Sequence, residues 1–370
     1  MQKCLLTKDE FEFFKRCPHC IASVCDKERI GHNGKFTYNY ANTGKYVDSG
    51  FPTINIRDVK SEKLIYETVQ DLGEDAIRDM GGVNEVKYHE GGSRPKTSLH
   101  IGQLKLFLAT MQFLLKYSKK GEETHVIYPG SAPGTNIELL TNLFPHCYWY
   151  LYDPRDIFHN ELYENDKVKK IVVDFFLEKH IEELKTTLKD KHVLLISDIR
   201  VCSDETEETI DRDMKLQADW VKSLRPTYSC LKFRLPRNTG KEYKYLIGEA
   251  YLQIYARVAS TETRLVVGKP SSEDEPFPEA EYDVDLYEGL MYYFNKRARL
   301  LSYHRGKLMY PLDTCHDCVA FYSLIEDYNE EYKTFNKSEE LVKLIVEKMG
   351  KYKISLFNKE LLSGLKMNGK

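Results

Sequence analysis

Long hydrophobic runs are missing from this chain. Among its 370 residues the longest apolar stretches, around 113–115 and 192–196, fall far short of the ~20 residues a bilayer-spanning helix needs. The first ten residues, with Lys3, Lys8, Asp9 and Glu10, hold charges where a secretory signal would hold its apolar segment, so the protein is expected to stay in the cytoplasm. The sequon at Asn336 then carries no meaning. Charge of one sign is also missing: 54 Lys and Arg stand against 57 Asp and Glu, a net charge of -3, and the whole molecule is not a polycation drawn to nucleic acid. There is no internal repeat and no low-complexity tract. Nine cysteines, an odd number in a reducing compartment, point to thiols or metal ligands and away from a disulfide framework. What remains, 42% hydrophobic and 30% charged residues, suffices for one large core or two smaller ones.

Charge does concentrate locally. Between Lys222 and Lys269 ten Lys or Arg face three Glu, a net +7, with Tyr228, Phe233, Tyr243, Tyr245, Tyr251 and Tyr255 interleaved. That composition suits phosphate contact with base stacking, and equally suits a solvated basic sheet edge. Texture divides the chain in three. Residues 1–95 lack a sustained period and read as an N-terminal extension. Residues 96–305 alternate strand-like and helix-like stretches, the pattern of an α/β fold with a mainly parallel sheet. Residues 306–370 read as a C-terminal helical extension. Ile101, Leu104, Leu108, Met111 and Leu115 recur at helical spacing, and Lys105 borders that stripe. Strands are expected at 124–128, 148–152, 170–173, 193–197, 229–233 and 264–267, with helices between the first four. Further helices are expected at 286–302 and 338–349, the last capped by Gly350.

The sharpest local feature is Val126-Ile-Tyr-Pro-Gly130-Ser-Ala-Pro-Gly134, a strand running into a glycine turn that opens a helix. Gly130 and Gly134 would let the backbone approach a ligand closely. Their spacing is not the G-x-G-x-x-G of dinucleotide sites, and no Lys-Ser/Thr follows as in a phosphate loop, so a nucleoside without pyrophosphate fits better. Asp153 ends the next strand, where an acid would accept hydrogen bonds from ribose hydroxyls; alone it could equally be a turn residue. Asp198 ends the strand at 192–197, at the sheet edge where open α/β folds hold ligands, with a helix N-cap as the plain alternative. Lys232 alternates with Cys230 and Arg234 on one strand face, and Glu262 precedes an apolar strand; taken singly, both are ordinary surface residues.

Gly102-Gln-Leu-Lys105-Leu, Gly130-Ser-Ala-Pro-Gly134, Leu195-Ile-Ser-Asp198-Ile-Arg, Cys230-Leu-Lys232-Phe-Arg and Ser260-Thr-Glu262-Thr-Arg-Leu occur in this order. In these pieces, over roughly residues 97–300, the chain resembles the poxvirus cap-specific mRNA 2'-O-methyltransferases, within the FtsJ-type RNA methyltransferases. The resemblance implies a Rossmann-like fold that binds S-adenosylmethionine. It also implies a catalytic tetrad of Lys105, Asp198, Lys232 and Glu262, and capped mRNA as substrate. A neutral lysine amine could draw the proton from a ribose hydroxyl. In this reading Lys232 is the base, Lys105 disfavours a second positive charge beside it, and the two acids fix its orientation. The same matching puts donor contacts at Gln103, Gly130, Gly134, Asp153 and Arg155, with Phe175 and Phe176 near the adenine. Arg155 could otherwise be a surface ion-pair partner, and the two Phe plain core.

Two features depart from that pattern. The family reads the cap guanine with two carboxylates and stacks it between aromatic rings. Glu288 matches one carboxylate, but Arg237-Asn-Thr-Gly240 stands where the other and a ring should follow Lys232; Tyr88 is the candidate for the remaining ring. Separately, Cys17-Pro-His-Cys20 and Cys315-His-Asp-Cys318 form two C-x-x-C pairs that zinc could take as one tetrahedral site, although chance spacing of buried thiols is the simpler account. Beside the methyltransferase expectation stands a non-catalytic one, an RNA-binding or processivity subunit of a poly(A) polymerase, which would not need the tetrad. A dinucleotide oxidoreductase is disfavoured by the glycine spacing.

Overall fold

A computed structural model describes residues 101–199, 206–237, 240–256, 260–293 and 316–351, together with four short strands, β1 (Lys3–Leu5), β2 (Thr37–Asn39), β3 (Thr53–Asn55) and β4 (Ile65–Tyr66). The first long helix, α1 (Ile101–Tyr117), leads into β5 (Thr124–Pro129), α2 (Ile137–Leu143) and β6 (Cys147–Tyr152). Then come β7 (Val168–Val172), α3 (Glu178–Thr187), β8 (His192–Ser197), α4 (Glu207–Leu224) and β9 (Tyr228–Phe233). The remainder is β10 (Glu242–Leu246), β11 (Glu249–Tyr251), β12 (Thr263–Gly268), β13 (Glu279–Asp283), α5 (Val284–Tyr293), α6 (His316–Tyr332) and α7 (Ser338–Lys351).

One nine-stranded sheet has the order β4-β3-β11-β12-β9-β8-β5-β6-β7. The five strands from β9 to the edge strand β7 are parallel, and β12, β11, β3 and β4 add an antiparallel flank. The inner parallel strands β5, β6 and β8 read as nearly continuous apolar runs because both faces are covered. Val126, Tyr128, Leu194, Ile196, Cys230 and Val266 belong to one core layer with Leu104, Phe107, Leu108 and Met111 of α1. Ile127, Leu195, Leu231, Phe233, Leu265 and Val267 alternate with them into a second layer, against Ile181 of α3 and Met214 and Val221 of α4. The chain leaves β5 toward β6 and β7, then returns to place β8 on the other side of β5. The carboxyl ends of β5 and β8 therefore flank a topological switch point, where such sheets open a crevice.

All six expected strands are present, within two residues at each end. The connections differ more. Between β6 and β7 the described helix is a single 3₁₀ turn, Asn160–Leu162, where a full helix was expected. A long helix, α4, joins β8 to β9; Thr206 caps it by accepting from the Thr209 N–H at 3.3 Å, and Glu207 and Glu208 complement its dipole. Gly350 lies inside α7 and does not cap it. β3 and β4, ahead of residue 96, extend the sheet. Phe321, Leu324, Ile325, Leu341, Val342 and Ile345 of α6 and α7, beyond residue 305, share the core layer of α1.

Candidate active site

The alternation that puts Leu194, Ile196, Cys230 and Val266 in the first core layer aims Asp198, Lys232 and Arg264 to the same side. α1 crosses that side and brings Lys105. The four residues singled out from the sequence meet there. Lys105 Nζ lies 2.8 Å from Glu262 Oε1, and Lys232 Nζ lies 3.0 Å from Asp198 Oδ1 and 3.6 Å from Glu262 Oε2. Burial, the largest influence on Lys105, holds its ammonium below the ordinary value; Glu262 opposes this and Arg264 reinforces it. Burial works to raise the Asp198 carboxyl, but the Lys232 and Arg264 cations outweigh it and hold the group below the usual carboxylate range.

Three further residues support this cluster and were not singled out from the sequence. Arg264, 4% exposed, donates to Asp198 Oδ1 at 2.8 Å and to the Ser197 carbonyl at 3.2 Å. Gln253 donates to Glu262 Oε1 at 3.1 Å and to its carbonyl at 3.0 Å, and accepts from Arg264 Nε at 3.1 Å. Gln217 on α4 fixes Lys232 through its backbone, accepting from the Lys232 N–H at 3.0 Å and donating to its carbonyl at 3.1 Å. The β8 ladder with β9 stops at Ser197 and Leu231, so this carboxamide pairs backbone groups lying just beyond it. The one available signal was the two-residue spacing of Glu262 and Arg264. Nothing local indicated Gln217.

The glycine turn makes close contacts within the chain itself. Both glycines have positive φ, +79° at Gly130 and +78° at Gly134. A Cβ on Gly130 would stand 2.9 Å from the Asp198 carbonyl carbon and 3.0 Å from the Ile199 nitrogen, and one on Gly134 would strike Leu162 at 2.3 Å. Gly130 thus lets the β5 turn close against the segment that carries Asp198. Gly130→Ala is expected to cost about 1–3 kcal/mol through clash and left-handed strain, read as a lowered denaturant midpoint. Gly102→Ala, with open space around the added methyl, should leave the midpoint unchanged or raise it slightly. An unchanged midpoint for Gly130→Ala would show that the two segments part without loss.

Asp153 is buried, and each carboxylate oxygen receives two N–H groups. Oδ1 accepts from Arg155 N at 3.0 Å and Nε at 2.8 Å, and Oδ2 from Arg155 Nη2 at 2.9 Å and Ala132 N at 3.2 Å. Arg155 also donates to the Ala132 carbonyl at 2.9 Å, so the pair clamps the glycine turn from the neighbouring strand. A ribose hydroxyl reaching Asp153 would share these oxygens with Arg155. Within the turn the buried Ser131 hydroxyl has no hydrogen-bond partner among the described residues. Gln103 is partly buried, two residues before Lys105. Phe176 belongs to the second core layer against Tyr152 and Trp220, whereas Phe175 is 51% exposed.

Glu288 accepts from Arg237 Nε, so the residue that departs from the family pattern is itself the partner of the one that matches. Glu207 braces the same loop, accepting from Arg237 N at 2.7 Å and Arg234 Nη2 at 2.8 Å. Five of the six aromatics of the basic window, Phe233, Tyr243, Tyr245, Tyr251 and Tyr255, are buried and offer no stacking platform, and Tyr228 is half-buried. Alternation turns the rings of β9, β10 and β11 inward, while Lys222 and Lys244 pair with Glu279, and Arg225 and Lys269 with Glu273. Tyr88, Cys17, Cys20 and Cys315 lie outside the described residues, and of Cys318 only its place in α6 is described. Among the described residues no group of three or more His, Cys, Asp or Glu could hold a metal ion, and no helix is long and apolar enough to cross a membrane.

Comparison with known proteins adds to this geometry. Residues 75–353 match the family model described as poly A polymerase regulatory subunit. The chain is 31% identical over 262 residues to the cap-specific mRNA (nucleoside-2'-O-)-methyltransferase of Myxoma virus (strain Lausanne), covering 67% of this chain and 75% of that protein. It is 30% identical over 264 residues to the protein of the same name from Fowlpox virus (strain NVSL), covering 66% of this chain and 82% of the relative. Among solved structures, bluetongue virus VP4, described as a multifunctional RNA-capping production line, is 16% identical with a TM-score of 0.41, covering 64% of this chain and 36% of VP4.

Proposed function

The chain belongs to the poly A polymerase regulatory subunit family, and from that premise we propose that it is an mRNA cap 2'-O-methyltransferase. The observation that carries this reading is the convergence of Lys105, Asp198, Lys232 and Glu262 from α1 and from the carboxyl edge of the sheet into one ion-paired cluster. The proposed donor, S-adenosylmethionine, supplies when bound a methyl group already activated on a sulfonium. The residues at the switch point fit it: the unpartnered Ser131 hydroxyl needs a polar neighbour, and Asp153, Arg155 and Gln103 stand at the turn or on the helix beside Lys105.

In the proposed step the ribose 2'-hydroxyl gives its proton to the Lys232 amine as its oxygen takes the methyl, so the amine becomes an ammonium and the oxygen an ether. Asp198 and Glu262 hold Lys232 in place and receive the new charge, which the surrounding low dielectric makes worth more than in water. For the cap base the proposed contact is Glu288. Its Arg237 partner means that a cationic methylated guanine would compete with a guanidinium for that carboxylate. Capped mRNA in the cytoplasm is the proposed substrate and setting.

The test is methyl transfer to capped, uncapped and already 2'-O-methylated RNA. Capped RNA should take up one methyl, and premethylated RNA none. The family description favours a second reading, a processivity subunit beside a poly(A) polymerase. Stimulation of poly(A) synthesis without transfer to any RNA would select that reading and overturn the first.

A further inference from the structure

Lys232 and Arg264 sit directly opposite each other on β9 and β12. Like charges at such a cross-strand pair repel unless something lies between them. Asp198 Oδ1 does, at 3.0 Å from Lys232 Nζ and 2.8 Å from Arg264 Nη2. The guanidinium continues to Glu262 Oε1 at 3.6 Å, and that same oxygen is 2.8 Å from Lys105. Arg264 is therefore a third cation within one largely buried cluster. Its other nitrogens are held by Ser197 and Gln253, and a guanidinium does not give up its proton.

The charged and titratable groups that meet here are Lys105 from α1, Tyr128 from β5, Asp198 from the end of β8, Cys230 and Lys232 from β9, Glu262 and Arg264 from β12 or just before it, and Tyr287 from α5. Arg155 also acts on Asp198, but its charge is matched by Asp153 at 2.8 Å. Tyr128, Tyr287 and Cys230 add no charge, because burial raises both phenols and pushes the thiol up to about 12. With both lysines protonated, three cations face two carboxylates. With one lysine neutral, the cluster balances. An uncompensated buried charge is expensive, and Glu262 couples the lysines by touching both amines, so the pair titrates as one unit.

We propose that Arg264 is a positioning residue whose fixed charge limits the Lys105–Lys232 pair to one proton, so that one amine is neutral and ready to accept the ribose proton. This rests on the methyltransferase reading for its catalytic meaning, but not for the proton count itself. Burial first, and Arg264 after it, hold the Lys105 ammonium below its ordinary value, the direction in which the pair must shift.

The test is Arg264→Gln, which keeps a donor toward Ser197 and removes the charge. Two measurements are made: the pH profile of methyl transfer with chemistry limiting, and competitive acetylation of Lys105 and Lys232 across pH, read by mass spectrometry. In the wild type one of the two lysines should react as a neutral amine below the ordinary lysine range. In the variant both that reactivity and the rising limb of the rate should move up by at least about one pH unit, roughly a tenfold loss of rate below the limb, recovered at high pH. Affinity for S-adenosylmethionine should stay within about twofold, since the change acts on proton count. A rate lowered equally at every pH, with unchanged acetylation profiles, overturns the proposal and leaves Arg264 a structural pair for Asp198. A variant that fails to fold also overturns it, because a second ammonium should restore the balance. If the wild type methylates no RNA, the methyltransferase reading falls while the acetylation profiles still decide the proton count.

Discussion

Lys232→Ala is expected to lower methyl transfer by about 10²–10⁴-fold, the range for losing a positioned acid–base group, with donor affinity and folding kept. The fold should survive because Asp198 retains Arg264 at 2.8 Å and Gln217 still pins the backbone of residue 232. Lys232→Arg should not rescue activity, since a guanidinium holds the charge but cannot accept a proton. In the wild type the rate should rise with pH as the lysine pair goes from two protons to one. Asp198 does not produce that limb: its carboxyl is held low and is ionised throughout the neutral range. The stability it contributes is lost only as pH falls through that depressed value. Rapid single turnover with saturating donor and RNA measures the chemical step, and calorimetry measures donor binding. Near-normal turnover by Lys232→Arg would remove the base role and leave Lys232 as a group that holds the ribose or a phosphate.

Phe321→Ala should destabilise the methyltransferase core itself by about 3–5 kcal/mol, as for other fully buried phenylalanines. Phe321 on α6 has no solvent exposure and meets the Tyr255 ring edge-on at 6.3 Å. It lies in the same core layer as Leu104, Phe107 and Leu108 of α1, the helix that carries Lys105. Loss of the ring should therefore lower the midpoint of a single denaturant transition, followed both by α1 and by the C-terminal helices. If only the C-terminal helices melt earlier while the rest keeps its midpoint, residues 316–351 are a separate unit and the shared layer contributes little. Placing one fluorescent probe on each part would distinguish the outcomes.

The inner parallel strands were legible in the sequence because strands covered on both faces are apolar at nearly every position. Val193 to Ser197 and Val126 to Tyr128 show this without reference to any neighbour. The glycine turn was legible too, since a strand running into two glycines at the head of a helix is a local pattern. Its neighbour in the fold was not. Gly130 accommodates Asp198, a residue 68 positions away in the chain, and nothing in the turn reveals what stands beside it. The basic window shows the same limit. Tyr243, Lys244 and Tyr245 have the composition of a stacking surface, but pairing with β13 turns both rings into the core and leaves the lysine to Glu279.

The four residues of the proposed tetrad were identified through resemblance, in order along the chain. Their contacts, and the presence of Arg264 among them, depend on the antiparallel register that sets Arg264 opposite Lys232. Local sequence determines which segments form strands and which side chains alternate to one face. Only the tertiary structure decides which charges meet across that face, because a slip of one residue in register would send every side chain of β12 to the other side.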